Sequence, residues 1–326
     1  MRLNLLTSLF GLIIWSTSIC SAQDCKIDLL VAYTQEASDS LLGDSSTVRD
    51  IQRALYRMNM CLVYSNVDFE VGLVRTIKLT EYESDCFTHD LDLFHKNSFI
   101  ESLRNKYHAD IAILVLANQE YCGLPLDRYK RAQDSTAFCA VNYYCMQNTF
   151  GLSHQVAHLF GCNHYIEMHE TANSEQITYG HGYKWRYDEY TGFNTILGIY
   201  DDDFCGEEDC NLIPHFSNPE VEYRSVPTGK AGIQNNAKVL DENASEIGAF
   251  KTIPQTQTNL TDTLKSFNRA YAVALDTLAT GSSYVVQDKA RVIFQAGTQV
   301  ILNPGFRIKE GAQFDVLIKQ PDKECN

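Results

Sequence analysis

Three of the nine histidines in this 326-residue chain lie within the stretch FGLSHQVAHLFGCNHY, at positions 150–165. His158 follows His154 by four residues, so on a helix both imidazoles project from the same face. Gly161 comes three residues later, where glycine suits the left-handed turn that ends a helix and reverses the chain. His164 can then return beneath the helix. Three converging imidazoles with a fourth position open are typical of a catalytic zinc site, and we predict that these histidines bind zinc.

A structural interpretation competes with this prediction. A single histidine in an apolar helix is usually a packed core residue, and a second one four residues away can arise by chance. The third histidine and the suitably spaced glycine favour metal binding instead.

The pattern His-x-x-x-His-x-x-Gly-x-x-His resembles the elongated zinc motif of the metzincin peptidases, and the flanking sequence is similar to their bacterial reprolysin-like branch. The resemblance covers about residues 24–252. It implies a metzincin-like α/β (α+β) domain with an active-site helix, zinc bound by His154, His158 and His164, and extended peptides as ligands or substrates. Further support comes from YCG at 121–123, FSNP at 216–219, PTG at 227–229 and NNAKVL at 235–240.

Gln155 departs from the family pattern, which has glutamate directly after the first histidine. In the family, that glutamate takes a proton from the attacking water and later delivers one to the leaving amine. Glutamine has nearly the same shape and can hold water by hydrogen bonds, but it carries no titratable proton near neutral pH. We therefore expect an intact metal site with weak or absent hydrolysis.

The turn beneath the metal is a second departure, because the family has methionine where this chain has Leu197. Leucine can fill the same apolar floor at modest cost. Tyr165 follows His164 where this branch often has aspartate. Two departures favour a naturally degenerate site over a single engineered knockout. A substitute acid remains an alternative, and the nearby candidates are Glu167, Glu170, Glu175, Asp201, Asp202 and Asp203.

The order of apolar patterns predicts a mixed, mainly parallel sheet with crossover helices. A strand is predicted at 27–33, a helix with apolar residues from Val48 to Leu62, a strand within 67–79, a helix carrying Phe94 to Tyr107, and a central strand at 111–117. In the family the peptide lies along an edge strand, which we expect near Phe138 to Val141.

Residues 253–268 are polar and rich in threonine and are predicted to be a linker. Residues 269–326 contain short apolar runs separated by glycines, which predicts a small all-β, solenoid-like domain. The stretch ILNPGFRIKEGAQFDV resembles C-terminal β-stack modules of exported proteins from Bacteroidetes-type bacteria. We interpret this module as a spacer or as an element that attaches the protein to a cell surface.

The amino terminus predicts a signal peptide at residues 1–22, with Arg2, an apolar stretch and Cys20-Ser21-Ala22 before the cleavage point. Its removal would leave residues 23–252 as the peptidase-like domain and ten of the eleven cysteines, an even number that suggests disulfides in an exported protein. We expect Cys205 to pair with Cys210, and Cys61 and Cys86 to connect helix and sheet. Cys122, Cys139, Cys145 and Cys162 are predicted to cluster near the site, with thiolate ligation of zinc as a minor alternative.

The acidic composition excludes some partners, since 41 Asp and Glu against 27 Lys and Arg give a net charge of −14. Such a surface repels nucleic acid and anionic membranes, and no later stretch is apolar enough for a membrane span. The sequence thus predicts a secreted pseudopeptidase that binds peptides or proteins. The alternatives are a slow but active zinc endopeptidase and a structural or adhesive surface protein.

Overall fold

A computed structural model of the chain describes residues 25–79, 83–84, 86–127, 130–166, 178–187, 192–198 and 211–321. The predicted signal peptide, Cys205 and Cys210 lie outside the described residues.

The first half of the chain alternates strands and helices. Its elements are β1 (Lys26–Tyr33), α1 (Gln35–Ser40), α2 (Asp44–Tyr64), β2 (Glu70–Lys78), α3 (Phe87–His95), α4 (Ser98–Tyr107), β3 (Ile111–Leu116), β4 (Gly123–Pro125), a 3₁₀ turn (Asp134–Thr136), β5 (Phe138–Asn142), α5 (Tyr143–Asn148) and α6 (Gly151–Leu159).

The second half consists mostly of short strands. Its elements are β6 (Lys184–Arg186), β7 (Gly192–Asn194), β8 (Glu222–Tyr223), β9 (Val226–Pro227), α7 (Asn236–Ile247), β10 (Thr256–Leu264), β11 (Arg269–Ala274), β12 (Thr277–Val286), β13 (Arg291–Ala296), β14 (Gln299–Ile301), β15 (Phe306–Ile308) and β16 (Gln313–Ile318).

The prediction of a mixed, mainly parallel sheet is confirmed. Within the described residues the main sheet has eight strands, in the order β16-β13-β11-β2-β1-β3-β5-β4. Strand β1 pairs in parallel with β2 and β3, and β3 pairs in parallel with β5. The predicted second helix is two helices, α3 and α4. They separate because Asn97 caps α4 by accepting a hydrogen bond from the Phe99 amide at 2.9 Å.

The main sheet is covered on both faces, because alternate residues of β1 enter two different hydrophobic cores. Leu29 and Val31 face the core that contains apolar residues of α2, α6 and α7. Leu30 and Ala32 face the core that contains apolar residues of α3, α4 and the C-terminal strands. The sequence of a strand that is buried on both faces is a nearly continuous apolar run, as in β1 and β3.

The edge strand near the predicted site is β4, so the prediction of an edge strand at Phe138 to Val141 is wrong. Those residues belong to β5, which lies between β3 and β4. Strand β4 runs antiparallel to β5, with Gly123 opposite Val141. A disulfide joins Cys122 to Cys145, and the Asn142 amide donates to the Cys122 carbonyl at 2.9 Å. These contacts fold the segment before β4 back onto β5.

The C-terminal strands continue the main sheet and form part of a second sheet. Strands β11, β13 and β16 pair in parallel, and β11 joins β2 through Ala270 and Arg75. Strand β12 pairs in parallel with β10, β14 and β15. In the pairs β11–β13, β13–β16, β12–β14 and β12–β15, partner residues differ by 22 in number, as do Arg269 and Arg291, or Tyr284 and Phe306.

The segment predicted as a linker, 253–268, contains the nine-residue strand β10. Its polar residues alternate with Leu260 and Leu264, which are buried in the second core. A Thr-rich strand with few apolar positions resembles a linker in composition, and only the pairing with β12 reveals it as a strand. A division of the chain into domains at this segment stays a prediction.

Candidate metal centre

The three predicted histidines meet in one buried cluster. Helix α6 supplies His154 and His158, and its described positions from Gly151 to Leu159 are all buried between the sheet and its neighbours. The Nε2 atom of His164 lies 2.9 Å from Nε2 of His154 and 3.1 Å from Nε2 of His158. Within the described part of the chain, these residues form the group of side chains whose geometry could hold a metal ion.

The turn after α6 returns His164 to the helix. Gly161 has φ +92°, a conformation in which a residue with a side chain is strained. The Gly161 amide donates to the His158 carbonyl at 2.9 Å, and the Cys162 amide donates to the Ala157 carbonyl at 3.1 Å. This pair of bonds is the Schellman motif that ends helices at glycine. The glycine therefore has the local role that its spacing predicted.

The hydrogen bonds behind the imidazoles orient their lone pairs toward one another. Nδ1 of His154 lies 3.1 Å from the Ile196 carbonyl oxygen, and Nδ1 of His158 lies 2.8 Å from the Cys162 carbonyl oxygen. A carbonyl oxygen only accepts, so each Nδ1 carries the proton and each Nε2 of the neutral ring keeps its lone pair.

This donor set fits a metal ion. The Nε2 atoms of His154 and His158 are both acceptors, and both face the single Nε2 of His164. A bound cation would accept lone pairs from all three nitrogens. Carbonyl oxygens that hold the other ring nitrogen are the usual support of metal-binding histidines.

Leu197 lies in the turn that contacts the first histidine. The preceding carbonyl, of Ile196, is the partner of His154, and the Leu197 side chain is fully buried in the apolar core. Gly182 packs directly against this turn, because a Cβ at Gly182 would lie 2.0 Å from the Leu197 carbonyl oxygen. This close packing holds the turn in place. That Leu197 takes the place of the methionine found beneath the metal in the metzincins stays a prediction.

Gln155 belongs to α6, and its side chain packs against the edge strand β4. Its side chain is 1% exposed. A Cβ at Gly123 in β4 would lie 2.5 Å from Cγ and 2.7 Å from Nε2 of Gln155. The absence of a side chain at Gly123 therefore makes room for the carboxamide beside the strand.

His181 supports the third histidine, a contact that the sequence did not indicate. The structure buries His181, and its Nδ1 donates to the His164 carbonyl oxygen at 2.9 Å. Burial lowers the pKa of His181, and the bond to His164 opposes that shift. Nothing in the sequence marks His181 as a partner of His164, because its spacing of 17 residues from that histidine carries no periodic signal.

The cysteines follow the predictions only in part. Cys122 and Cys145 are bonded to each other near the site. Cys61 and Cys86 are free thiols, so the predicted tie between helix and sheet is wrong. Cys61 is buried in α2, and that burial raises the pKa of its thiol to about 12. Burial also raises the pKa of Cys162 well above its usual value, which leaves a neutral thiol and opposes thiolate ligation.

The candidate substitute acids are not in the described part of the chain. Glu167, Glu170, Glu175, Asp201, Asp202 and Asp203 all lie outside the described residues. Tyr165 is described and is half-buried directly after His164.

Comparisons with known proteins point to metallopeptidases. The chain is 30% identical over 236 residues to a peptidyl-Asp metalloendopeptidase of Stenotrophomonas maltophilia, an alignment that covers 71% of this chain and 54% of that protein. It is 28% identical over 236 residues to one from Xanthomonas campestris, which covers 71% of this chain and 53% of the relative. It is 26% identical over 194 residues to one from Pseudomonas fragi, an alignment that covers 59% of this chain and 99% of that protein.

The chain spans about half the length of the first two relatives. No protein-family model matches it. A chain in a solved structure described as a chaperone-substrate complex is similar in fold, with a TM-score of 0.54 and 18% identity over 70% of this chain and 36% of that chain. These homologues support a metallopeptidase family and imply a metal cofactor for the histidine cluster.

Proposed function

We propose that this metallopeptidase-family protein is a secreted zinc-binding pseudopeptidase of the metzincin, reprolysin-like type. The observation that carries the proposal is the convergence of three buried imidazoles whose Nε2 atoms approach one another to about 3 Å. Their Nδ1–H groups are held by carbonyl oxygens at two of the three positions. When bound, zinc would supply Lewis-acid polarisation of a peptide carbonyl and would make water a stronger nucleophile.

Gln155 is the reason to propose impaired hydrolysis. Its carboxamide can accept and donate hydrogen bonds and can thus position a water or a peptide group. It cannot take up a proton near neutral pH, nor deliver one to a departing amine. Loss of general acid–base help costs about 10²–10⁴-fold in rate. Binding of peptide does not require this proton transfer, so recognition would survive.

Strand β4 is the proposed peptide-binding edge. It is the outermost strand at its end of the main sheet, and Gly123 brings it against the side chain of Gln155. An extended peptide that adds to this edge by backbone hydrogen bonds would pass Gln155 and the histidines. The relatives are named for peptidyl-Asp cleavage, so a ligand with aspartate near the metal is our first choice for this chain.

Secretion is proposed from the apolar amino terminus and from the cysteines. Cys122 and Cys145 form a disulfide, and Cys25 is disulfide-bonded as well, which fits an oxidising compartment. In the described part of the chain, no helix is both long enough and apolar enough to cross a membrane. Attachment to a cell surface through residues 269–326 stays a prediction.

The test compares the zinc-loaded protein lacking residues 1–22 with Gln155→Glu and with Gln155→Ala. Each is incubated with internally quenched extended peptides, half of which contain aspartate, and binding is followed by fluorescence anisotropy. We expect wild type and Gln155→Ala to bind without measurable cleavage. Gln155→Glu should cleave at least about 10²-fold faster than wild type, and a chelator should abolish that activity.

Two outcomes would overturn the proposal. If the wild type cleaves within tenfold of Gln155→Glu and a chelator stops it, the protein is an active zinc endopeptidase with another proton-transfer group. If neither protein binds nor cleaves any peptide while chelation lowers the unfolding temperature, the metal serves a structural or adhesive role.

A further inference from the structure

A cavity of about 450 Å³ lies between the first turns of α2 and the C-terminal strands, and four cationic side chains line it: Arg49, Arg269, Lys289 and Arg291. Among the described residues that line it, none is acidic. Ser45 and Phe267 contribute a hydroxyl and an aromatic wall. Four cations at one cavity are unexpected in a chain whose net charge is −14.

The strand register forces two of these cations together. Arg269 of β11 is the direct partner of Arg291 of β13 in a parallel ladder, and Gln313 of β16 continues the row. Neighbouring strands lie about 4.8 Å apart, and like charges directly opposite each other destabilise a sheet. Burial, and next the charge of Arg291, lower the pKa of Arg269. The row of arginines therefore opposes folding.

Few counter-charges offset this cost. Arg291 pairs with Asp315 at 3.1 Å, but both side chains of this pair are more than one-third exposed. Lys289 lies over the Phe267 ring at 5.2 Å, and Arg49 donates to the Ser46 hydroxyl at 3.1 Å. Arg269 makes no ion pair with any residue that the structure describes. Among the described residues, Arg291 is therefore the only one of the four cations that forms an ion pair.

Two acids that lie close in sequence to cavity-lining residues have other partners. Asp44, at the start of α2, pairs with Lys78 at 2.6 Å. Asp288, next to Lys289, accepts a hydrogen bond from the Ser266 hydroxyl at 2.7 Å. Neither carboxylate is among the groups that line the cavity.

We propose that this cavity binds an oxyanion with at least two negative charges, a sulfate or phosphate group that is free or esterified to a small organic carrier. Guanidinium groups offer planar, paired donors that match such oxyanions. The volume is in the range of small-molecule sites, so the group and a carrier fit together. Phe267 offers an apolar face for the carrier. No residue of α6 or of the histidine cluster lines the cavity, so the site is separate from the metal centre.

A small anion explains the cavity better than an extended polyanion. The four cations surround one concave site, whereas the whole chain carries excess negative charge. A nucleic acid would be repelled beyond the cavity, because its phosphates continue along the acidic surface.

The test is isothermal titration calorimetry of the full chain with sodium sulfate and with glucose 6-sulfate, at ionic strength held constant by sodium chloride. Sulfate is chosen because phosphate would also compete for a bound metal. Arg269→Gln and Arg291→Gln remove the adjacent pair. Arg307→Gln in β15 is the matched control, since it removes an exposed arginine of the same region outside the cavity.

We expect each cavity variant to weaken binding about tenfold or more, because it removes hydrogen bonds between charged groups, while Arg307→Gln binds like wild type. Tighter binding of glucose 6-sulfate would identify an esterified ligand, and equal binding of the two probes a free oxyanion. The proposal fails if neither probe binds saturably, if the cavity variants bind like wild type, or if Arg307→Gln weakens binding equally.

The unfolding temperature, measured with and without sulfate, separates anion binding from a purely structural role of the arginines. Without sulfate, Arg269→Gln should unfold no lower than wild type, since it relieves like-charge repulsion. With sulfate, only wild type and Arg307→Gln should gain stability beyond the general salt effect. If Arg269→Gln fails to fold, Arg49→Gln removes an exposed cavity cation of α2 without touching the sheet. Wild-type sulfate binding in that variant would contradict the proposal.

Discussion

Asp262 in β10 lies at the junction between the C-terminal strands and the rest of the protein, and its replacement by alanine should destabilise the whole chain. One of its oxygens lies 3.2 Å from Nη2 of Arg75 in β2. The same oxygen accepts a hydrogen bond from the Tyr107 hydroxyl at 2.5 Å. The side chain of Arg75 is 3% exposed. The hydroxyl of Tyr284 in β12 lies 3.1 Å from the Tyr107 hydroxyl.

The magnitude follows from the burial of this pair. Removal of one partner of a buried ion pair costs about 3–5 kcal/mol, because the other charge stays buried without compensation. Such a loss corresponds to a fall of about 5–8 °C in the unfolding temperature of a chain of this size, because the entropy of unfolding is about 2 cal/mol/K per residue. The chain offers a matched control in Asp315→Ala, which breaks an exposed Arg–Asp pair with Arg291. Exposed pairs contribute about 0–1 kcal/mol.

Differential scanning calorimetry of the full chain measures both variants. We expect one transition in wild type and a clear fall in Asp262→Ala, with little change in Asp315→Ala. The double variant Arg75→Met, Asp262→Leu should recover much of the loss, since it removes both charges and leaves apolar groups. Two separate transitions in wild type, or equal effects of Asp262→Ala and Asp315→Ala, would refute the reasoning and favour an independent C-terminal domain.

Two further predictions concern a pH effect and the turn of the metal centre. Burial lowers the pKa of His108 to about 4, below its unfolded value of about 6.5. Below pH 6.5 the unfolded chain therefore binds more protons, and stability should fall by about 3 kcal/mol as the pH drops to 4, since each pKa unit corresponds to about 1.4 kcal/mol. Asparagine tolerates the left-handed conformation of residue 108 (φ +54°). His108→Asn should therefore reduce the dependence of the unfolding free energy on pH between 6.5 and 4, as measured by denaturant titrations. An unchanged pH dependence would show that His108 is not its source. Gly161→Ala should cost about 1 kcal/mol or more at φ +92° and should weaken metal binding in equilibrium dialysis, because it displaces His164. Unchanged affinity would mean that the turn does not set the position of that histidine.

Local sequence patterns predicted the parts of the site that lie on one helix and its turn. A spacing of four residues brings His154 and His158 to one face of any helix, and a glycine at 161 ends that helix in the conformation that reverses the chain. The apolar runs of β1 and β3 likewise follow from burial on both faces of a parallel sheet. These features depend on residues within about one or two turns of each other.

Pairing between distant segments could not be predicted in the same way. The edge strand is β4 rather than β5, because the Cys122–Cys145 disulfide and the ladder with β5 fold a short segment outward. Strand β10 has the composition of a linker, and only β12 beside it makes it a strand. The free thiols of Cys61 and Cys86 show that cysteine number does not determine pairing.

The amino-acid sequence is sufficient to identify the chemical groups of the candidate site: three imidazoles, a glycine turn and glutamine where the resembled family has glutamate. The groups that surround them follow from the packing of distant segments. This packing brings the Ile196 carbonyl to His154, the His181 ring to the His164 carbonyl and Gly123 to Gln155. It also gathers Arg49, Arg269, Lys289 and Arg291 at one cavity. Helical periodicity acts over a few residues and is visible in the sequence, whereas these contacts join segments whose proximity depends on the packing of the whole chain.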